Sequence, residues 1–254
     1  MGNKLEGGLQ VVAVDLHIHT CLSPCGSLDM TPRNIVREAC EKKLAVIAIT
    51  DHNSAENTAA VIAAARPTTL VVIPGIEVTT QEEAHIVGLF DTVEGALSMQ
   101  KLVYQNLQPG ENDENSFGIQ VMANELDEVE GINKRLLIGA TALDVEEVVD
   151  GIHARQGLAV AAHIDRPSFS LISQLGLVPE GLHLDAIEIS KQITLQQAKA
   201  QFGVNLAFPF IAASDAHYLH EIGTCLTRLQ LASPDMAELR LALAGRKGRK
   251  VLSV

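Results

Sequence analysis

Short apolar runs alternate along the chain with stretches whose apolar positions recur every three or four residues. Residues 11–16, 45–50, 69–73, 86–90, 158–162, 185–189 and 210–213 are short β-branched or apolar runs, which predicts strands. Thr31 and Pro32 form an N-cap and first-turn pair, and Ile35, Val36, Ala39 and Cys40 share one apolar face, so a helix is predicted there. Residues 54–65, stopped by Pro67, predict a second helix. Residues 143–156, with Val145, Val148, Val149 and Ile152 on one side and Gly157 beyond, predict a third. Ser233 and Pro234 open a last one. Such alternation implies a parallel sheet, open or closed into a barrel. Residues 92–142 break the rhythm with a polar loop near 109–117 and an acidic stretch at 124–130. They read as a small, partly helical insertion or lid between barrel segments 11–91 and 143–254.

Composition narrows the class. A chain of 254 residues, 47% hydrophobic and 20% charged, is neither disordered nor fibrous. Aromatics make up 3% with no Trp, so the core is expected to be aliphatic, and a track of interleaved aromatics for stacking bases is not expected. Nineteen basic against 31 acidic residues leave a net charge of −12, which disfavours nucleic acid as a partner. Arg246, Lys247, Arg249 and Lys250 read as a solvated tail. No apolar run approaches the roughly 18–20 residues that span a bilayer, and residues 1–10 lack the apolar stretch of a signal peptide. Four cysteines, Cys21, Cys25, Cys40 and Cys225, are too few for a disulfide scaffold. A cytoplasmic location is expected, with Cys21 and Cys40 as packing residues.

The chemistry gathers at predicted strand ends, where parallel α/β folds place their active sites. The first strand runs into Asp15-Leu16-His17-Ile18-His19, and residues two apart on a strand share a face, so His17 and His19 can bind one metal together. Asp51-His52 ends the second strand, the third leads into Gly75-Ile76-Glu77, and His85 precedes the fourth. His163 follows a later strand, and Asp215 and His217 follow the last. Six of nine histidines thus sit at strand ends with Glu77 and Asp215. Neutral imidazoles with a bridging carboxylate are a ligand set for zinc, iron or manganese and a framework for hydrolysing phosphate esters.

Taken in order, Asp-Leu-His-Ile-His-Thr, Thr-Asp-His, Gly-Ile-Glu, the His before Val-Gly-Leu, Ala-His and Ser-Asp-Ala-His resemble the motif series of the PHP (polymerase and histidinol phosphatase) superfamily over residues 11–217. The resemblance implies an α/β fold, a distorted (β/α)7 TIM-like barrel, holding two to three divalent ions. His17, His19, Glu77 and Asp215 would hold the first metal, with Glu77 bridging to a second on His85 and His163. A third would use His52, His217 and a ligand from the loop after His19. Relatives commonly place Asp or His there; this chain has Pro24 and Cys25, so Cys25 is the expected ligand and Asp29 the substitute.

The expected reaction is attack of a metal-bridged hydroxide on the phosphate ester of a small molecule, a phosphomonoester or nucleotide. Histidinol-phosphate phosphatase and single-strand nuclease are the alternatives within the enzyme class, and a non-catalytic metal-binding module is the rival from outside it. Arg166 is the expected phosphate clamp and Asp165 a candidate acid for the leaving oxygen. Lys134 and Arg135 are candidates for a lid, against a solvated face. Asp15 and Asp51 are expected to orient imidazoles from behind, and His153, His183 and His220 to lie outside the site.

Overall fold

β1 (Gln10–Ile18), β2 (Val46–Ile49), β3 (Val71–Thr79), β4 (His85–Leu89), β7 (Leu158–Ala161), β8 (Ala186–Ile189) and β9 (Phe210–Ala212) lie side by side in that order in the computed structural model, which describes residues 8–202 and 208–254. β10 (Thr227–Leu231) and β11 (Lys250–Ser253) extend this sheet antiparallel from β1. A bridge between Ile18 and Ala216 brings the end of β1 against the chain leaving β9, and Thr227 Oγ1 exchanges 2.8 Å hydrogen bonds with Ala212 N and O. The seven strands therefore curl into a nearly closed barrel, the distorted TIM-like form expected.

The distortion is local and has a covalent cause. The sequence pattern predicts a parallel sheet, yet β4 runs antiparallel to both β3 and β7. The link from Thr79 to His85 is too short for the crossover that a parallel neighbour needs, so it makes a hairpin. The reversal brings the first residue of β4, His85, to the same rim as the carboxyl ends of its neighbours. β3 also continues beyond the predicted 69–73, so Glu77 lies within a strand rather than after it. Gly75 permits this continuation, because a Cβ there would lie 2.8 Å from the Ile49 carbonyl oxygen.

Alternate strand residues, among them Val12, Val14, Val46, Leu89, Val160 and Ile211, meet in one buried cluster with Leu239 and Leu243 of α8 (Met236–Leu243). α1 (Pro32–Glu41) and α2 (Thr58–Ala65) pack on Ile47 and Ile49 through Ile35, Ala39 and Val61. Each fully buried branched aliphatic of this kind contributes roughly 1.5–3 kcal/mol. Cys40 is exposed instead, just past the buried face of α1, whereas Cys21 is buried. α5 (Val145–His153) begins at Asp144, whose side chain and Glu147 form a capping box.

Within residues 92–142, α3 (Val93–Asn106) places Ala96, Met99 and Val103 in the same core as Val148 and Ile152 of α5. The small hairpin of β5 (Val121–Ala123) and β6 (Val129–Ile132) forms a separate two-stranded sheet. It backs the loop after β1: Val121 N donates to Cys21 O at 2.9 Å, and Asn57 Nδ2 bridges Thr20 Oγ1 and Val121 O. Among the described residues no helix is long and apolar enough to cross a membrane.

Candidate metal centre

Glu77 is 1% exposed, and five imidazoles surround its carboxylate. Nδ1 of His85 lies 2.9 Å away and Nδ1 of His52 3.0 Å, followed by Nε2 of His17 and His163 at 3.3 Å and of His19 at 3.4 Å. Asp215 meets two of the same imidazoles, with Oδ1 3.0 Å from His19 Nε2 and 3.4 Å from His17 Nε2. The rings of His19 and His217 stack at 4.1 Å. All six strand-end histidines, Glu77 and Asp215 are thus brought together at one rim.

The proton inventory of this cluster calls for cations. Ser23 has one hydroxyl proton, which it donates to Asp51 Oδ1 at 2.7 Å, so its oxygen accepts from His19 Nδ1–H at 2.9 Å. His17 Nδ1–H donates to Glu188 at 3.1 Å, and His217 Nδ1–H to the Asp215 carbonyl at 2.9 Å. The Nε2 atoms of His17 and His19 consequently face each other at 3.2 Å, and with both rings neutral each presents a lone pair to the other. Lone pairs at that separation repel unless a positive ion draws both. Nδ1 of His52 and His85 and Oε2 of Glu77 are also buried without a hydrogen-bond partner. His19-His52-His217, His17-His19-Glu77 and His52-Glu77-His85 each bring three ligand atoms within 4.8 Å of one another. The donor set fits divalent metals.

Burial lowers His17 and His52, but Glu188 and Asp215 push His17, and Cys25 and Glu77 push His52, well above the ordinary imidazole value, so the cluster attracts positive charge. Burial pushes Glu77 up, but the imidazoles of His85, His17 and His52 outweigh it and hold the carboxyl well below its usual range. Asp215 is likewise held down against burial, by His17 and His19. Burial, followed by His217 and His52, keeps His19 neutral, and burial brings His85 down to about 4. Backbone strain is stored here too: His163 has φ +26° and Asp215 φ +49°, left-handed values that non-glycine residues adopt at a cost.

Cys25 is accessible at the mouth. Burial of part of its thiol raises the pKa, but neighbouring His52 and His217 bring it down to about 6. Cys21 and Cys225, by contrast, are pushed up by burial to about 12 and 11. In metal-free protein, iodoacetamide is expected to modify Cys25 first, at a rate half-maximal near pH 6 and rising with pH as thiolate forms. Peptide mapping after timed labelling checks this; equal labelling of Cys21 at neutral pH would contradict it. Asp29, the substitute ligand, is exposed, and it is not among the side chains that meet Glu77.

Other expectations shift. Asp165 accepts from Ser190 N at 2.8 Å and Ser190 Oγ at 2.6 Å, so both its oxygens are engaged in fastening the loop after β8. Arg166 pairs with Asp215, Nη2 to Oδ2 at 2.6 Å, at the mouth. Lys134 pairs with Glu114, and Arg135 lies over the Tyr104 ring at 4.2 Å; both are engaged within their own segment. Asp15 accepts from Ser214 N and Gly223 N and so braces the Asp215 loop, while Asp51 reaches His19 only through Ser23. His153 pairs with Asp185 away from the cluster, and His183 and His220 are exposed.

Glu188 is the residue that sequence reasoning missed. It is 1% exposed in the middle of β8, both its oxygens lie 3.1 Å from His17 Nδ1, and it accepts from His163 N at 3.2 Å. The available signal was a single acid inside the apolar run Ala186-Ile187-Glu188-Ile189. Glu188→Gln keeps the shape but removes the charge behind His17. It is expected to weaken metal binding roughly 10–100-fold in a metal titration, and unchanged affinity would contradict the role.

The PHP domain family matches residues 15–167, more than half of the chain, and a PHP-associated family matches residues 200–247. The chain belongs to the PHP domain family. PHP relatives are metal-dependent hydrolases, including phosphoesterases and nucleases. The 5′-3′ exoribonuclease Rnm of Salmonella typhimurium is 41% identical over 98 residues, which is 35% of this chain and 31% of that enzyme. The lesion-specific endonuclease EndoQ of Pyrococcus furiosus superposes with a TM-score of 0.65 at 18% identity, over 95% of this chain and 57% of the endonuclease. A two-domain protein of Bacteroides vulgatus containing a predicted PHP-like metal-dependent phosphoesterase gives 0.57 at 16% identity, over 100% of this chain and 67% of its own. The chain therefore spans only part of these relatives.

One expectation is overturned by these PHP relatives. Net charge pointed away from nucleic acid and toward a small phosphorylated substrate. Endonuclease Q, with the same fold, holds a 27-mer duplex with an abasic lesion at its active site, and Rnm is an exoribonuclease. Total charge is a poor guide because attraction at a PHP site is local. Surface acids are screened beyond a Debye length of roughly 8–10 Å, so their sum says little about the field inside one site.

Proposed function

We propose that this chain hydrolyses a phosphoester bond of a nucleotide unit in nucleic acid. His17, His19, Glu77 and Asp215 would hold one ion, Glu77, His85 and His163 a second, and His52, His217 and Cys25 a third. Such ions supply an acidified water and neutralise the charge on phosphoryl oxygens. A thiolate from Cys25 favours zinc or iron over manganese. The residues do the rest of the positioning. Glu188, Ser23 and the Asp215 carbonyl commit the Nδ1 protons of His17, His19 and His217, so their Nε2 atoms point inward as acceptors. Arg166 stands at the mouth, where its planar fork suits two phosphate oxygens.

The observation that carries this reading is the pair of inward Nε2 lone pairs on His17 and His19, set against one buried carboxylate shared by five imidazoles. Its test is hydrolysis of end-labelled RNA and DNA oligonucleotides and of mononucleotides by protein stripped of metal and then reloaded with zinc, iron or manganese. Cleavage that returns on reloading is expected. Stoichiometric metal uptake without cleavage of any of these substrates would instead favour a non-catalytic metal-binding module.

A further inference from the structure

Phe117, Phe169 and Tyr218 are the exposed aromatic side chains among the described residues, in a chain with only six Phe and two Tyr. Two of them flank the metal centre. Phe169 is 42% exposed and lies flat on His85, with centroids 4.9 Å apart and planes 18° off parallel. Its backbone is held in place, because the Phe169 carbonyl accepts from His85 N at 2.9 Å. Its φ of +58° is strained for a bulky residue, and strain of that kind persists where the surroundings impose it, often at ligand sites. One face of the ring covers an imidazole, and the side chain as a whole stays open to solvent.

Tyr218 follows His217 directly and is 51% exposed. It lines a cavity of about 280 Å³ together with Arg166, Lys191 and Cys25. His85 and His217 are both neighbours of His52, whose ring centroid is 5.2 Å from that of His85 and 6.0 Å from that of His217. The two exposed rings, Tyr218 with His220 at 5.8 Å beside it, therefore border the cluster beyond different ligands, and Arg166 is three residues from Phe169 in the same loop.

Resting on the nucleotide reading above, we propose that Phe169 and Tyr218 are stacking platforms for the two bases flanking the hydrolysed phosphate. The recognised unit is a dinucleotide step of single-stranded nucleic acid. Every base offers a π-face, so such platforms tolerate sequence, and bases paired in a duplex have their faces covered by neighbours. One arginine beside the cluster and one ring on each side suit a single step. A long strand would need a basic groove and a run of aromatics.

The experiment uses metal-loaded protein and three dinucleotides: one with both bases, and one each with a tetrahydrofuran abasic sugar on the 5′ or the 3′ side of the phosphate. For the unsubstituted chain, removing either base is expected to lower kcat/KM by roughly tenfold. Phe169→Ala should abolish that discrimination on one side and Tyr218→Ala on the other, while Phe169→Tyr and Tyr218→Phe retain it. Metal content of each variant reports whether His85 and His217 are still held. Base-to-abasic ratios that are the same in both alanine variants as in the unsubstituted chain would overturn the platforms while leaving the hydrolase reading intact. Failure of the unsubstituted chain to cleave any of the three would overturn the nucleotide reading itself.

Discussion

Glu77→Gln is expected to lower phosphoester hydrolysis on the order of a thousandfold or more and to remove at least one equivalent of bound metal. Each 1.36 kcal/mol of lost transition-state stabilisation is tenfold in rate, and a metal Lewis acid is worth several kcal/mol. Glutamine fits the same space but is neutral and presents an NH₂ to one side. Imidazole nitrogens approach Oε1 from His85, His17 and His163, and Oε2 from His52 and His19. Whichever way the amide is turned, it faces nitrogens that are needed as ligands. Elemental analysis and a rate measurement on the same preparation check this, with circular dichroism showing that the overall secondary structure is retained. A variant with full metal content and full rate would remove Glu77 from its bridging role.

Arg166→Ala is the second large effect, a loss of roughly 10²–10³-fold in kcat/KM, by analogy with removing a preorganised donor from a site of developing charge. Arg166→Lys should recover only a small part of the activity, since an ammonium cannot reproduce a bidentate fork. Arg166 also touches Asp215, so a structural role must be separated from a phosphate-holding one. Metal content makes that separation. An arginine that clamps phosphate leaves the metal stoichiometry unchanged when it is removed, whereas one that only holds Asp215 in place does not.

Much of this site was legible before any coordinates. Alternation in a strand is a rigid geometric rule, and it placed His17 and His19 on one face; adjacency to apolar runs placed His52, His163, Asp215 and His217 at the rim. What escaped depended on chain direction and burial. The reversal of β4 follows from a short link whose consequence, a hairpin, leaves the apolar pattern of residues 86–90 unaltered. Glu188 looked like an ordinary polar interruption of a strand, because its value lies in facing His17, 171 residues away. Asp165 looked catalytic from its closeness to His163 in sequence, yet its partner is Ser190. β10 and β11 escaped because polar positions, Arg228 and Gln230 in one and Lys250 and Ser253 in the other, interrupt the apolar runs that mark the other strands. Charge misled for another reason: a sum over the whole surface carries no information about the field at one rim.

The most direct test of the account is a metal titration of the stripped protein, followed by elemental analysis and by the rate of oligonucleotide hydrolysis in the same tubes. The account predicts a negligible rate without metal and a rate that rises with uptake and levels off at about two to three ions per chain, as expected for a multinuclear hydrolytic site. Full hydrolysis by stripped protein, or a rate that does not change as the ions bind, would contradict it.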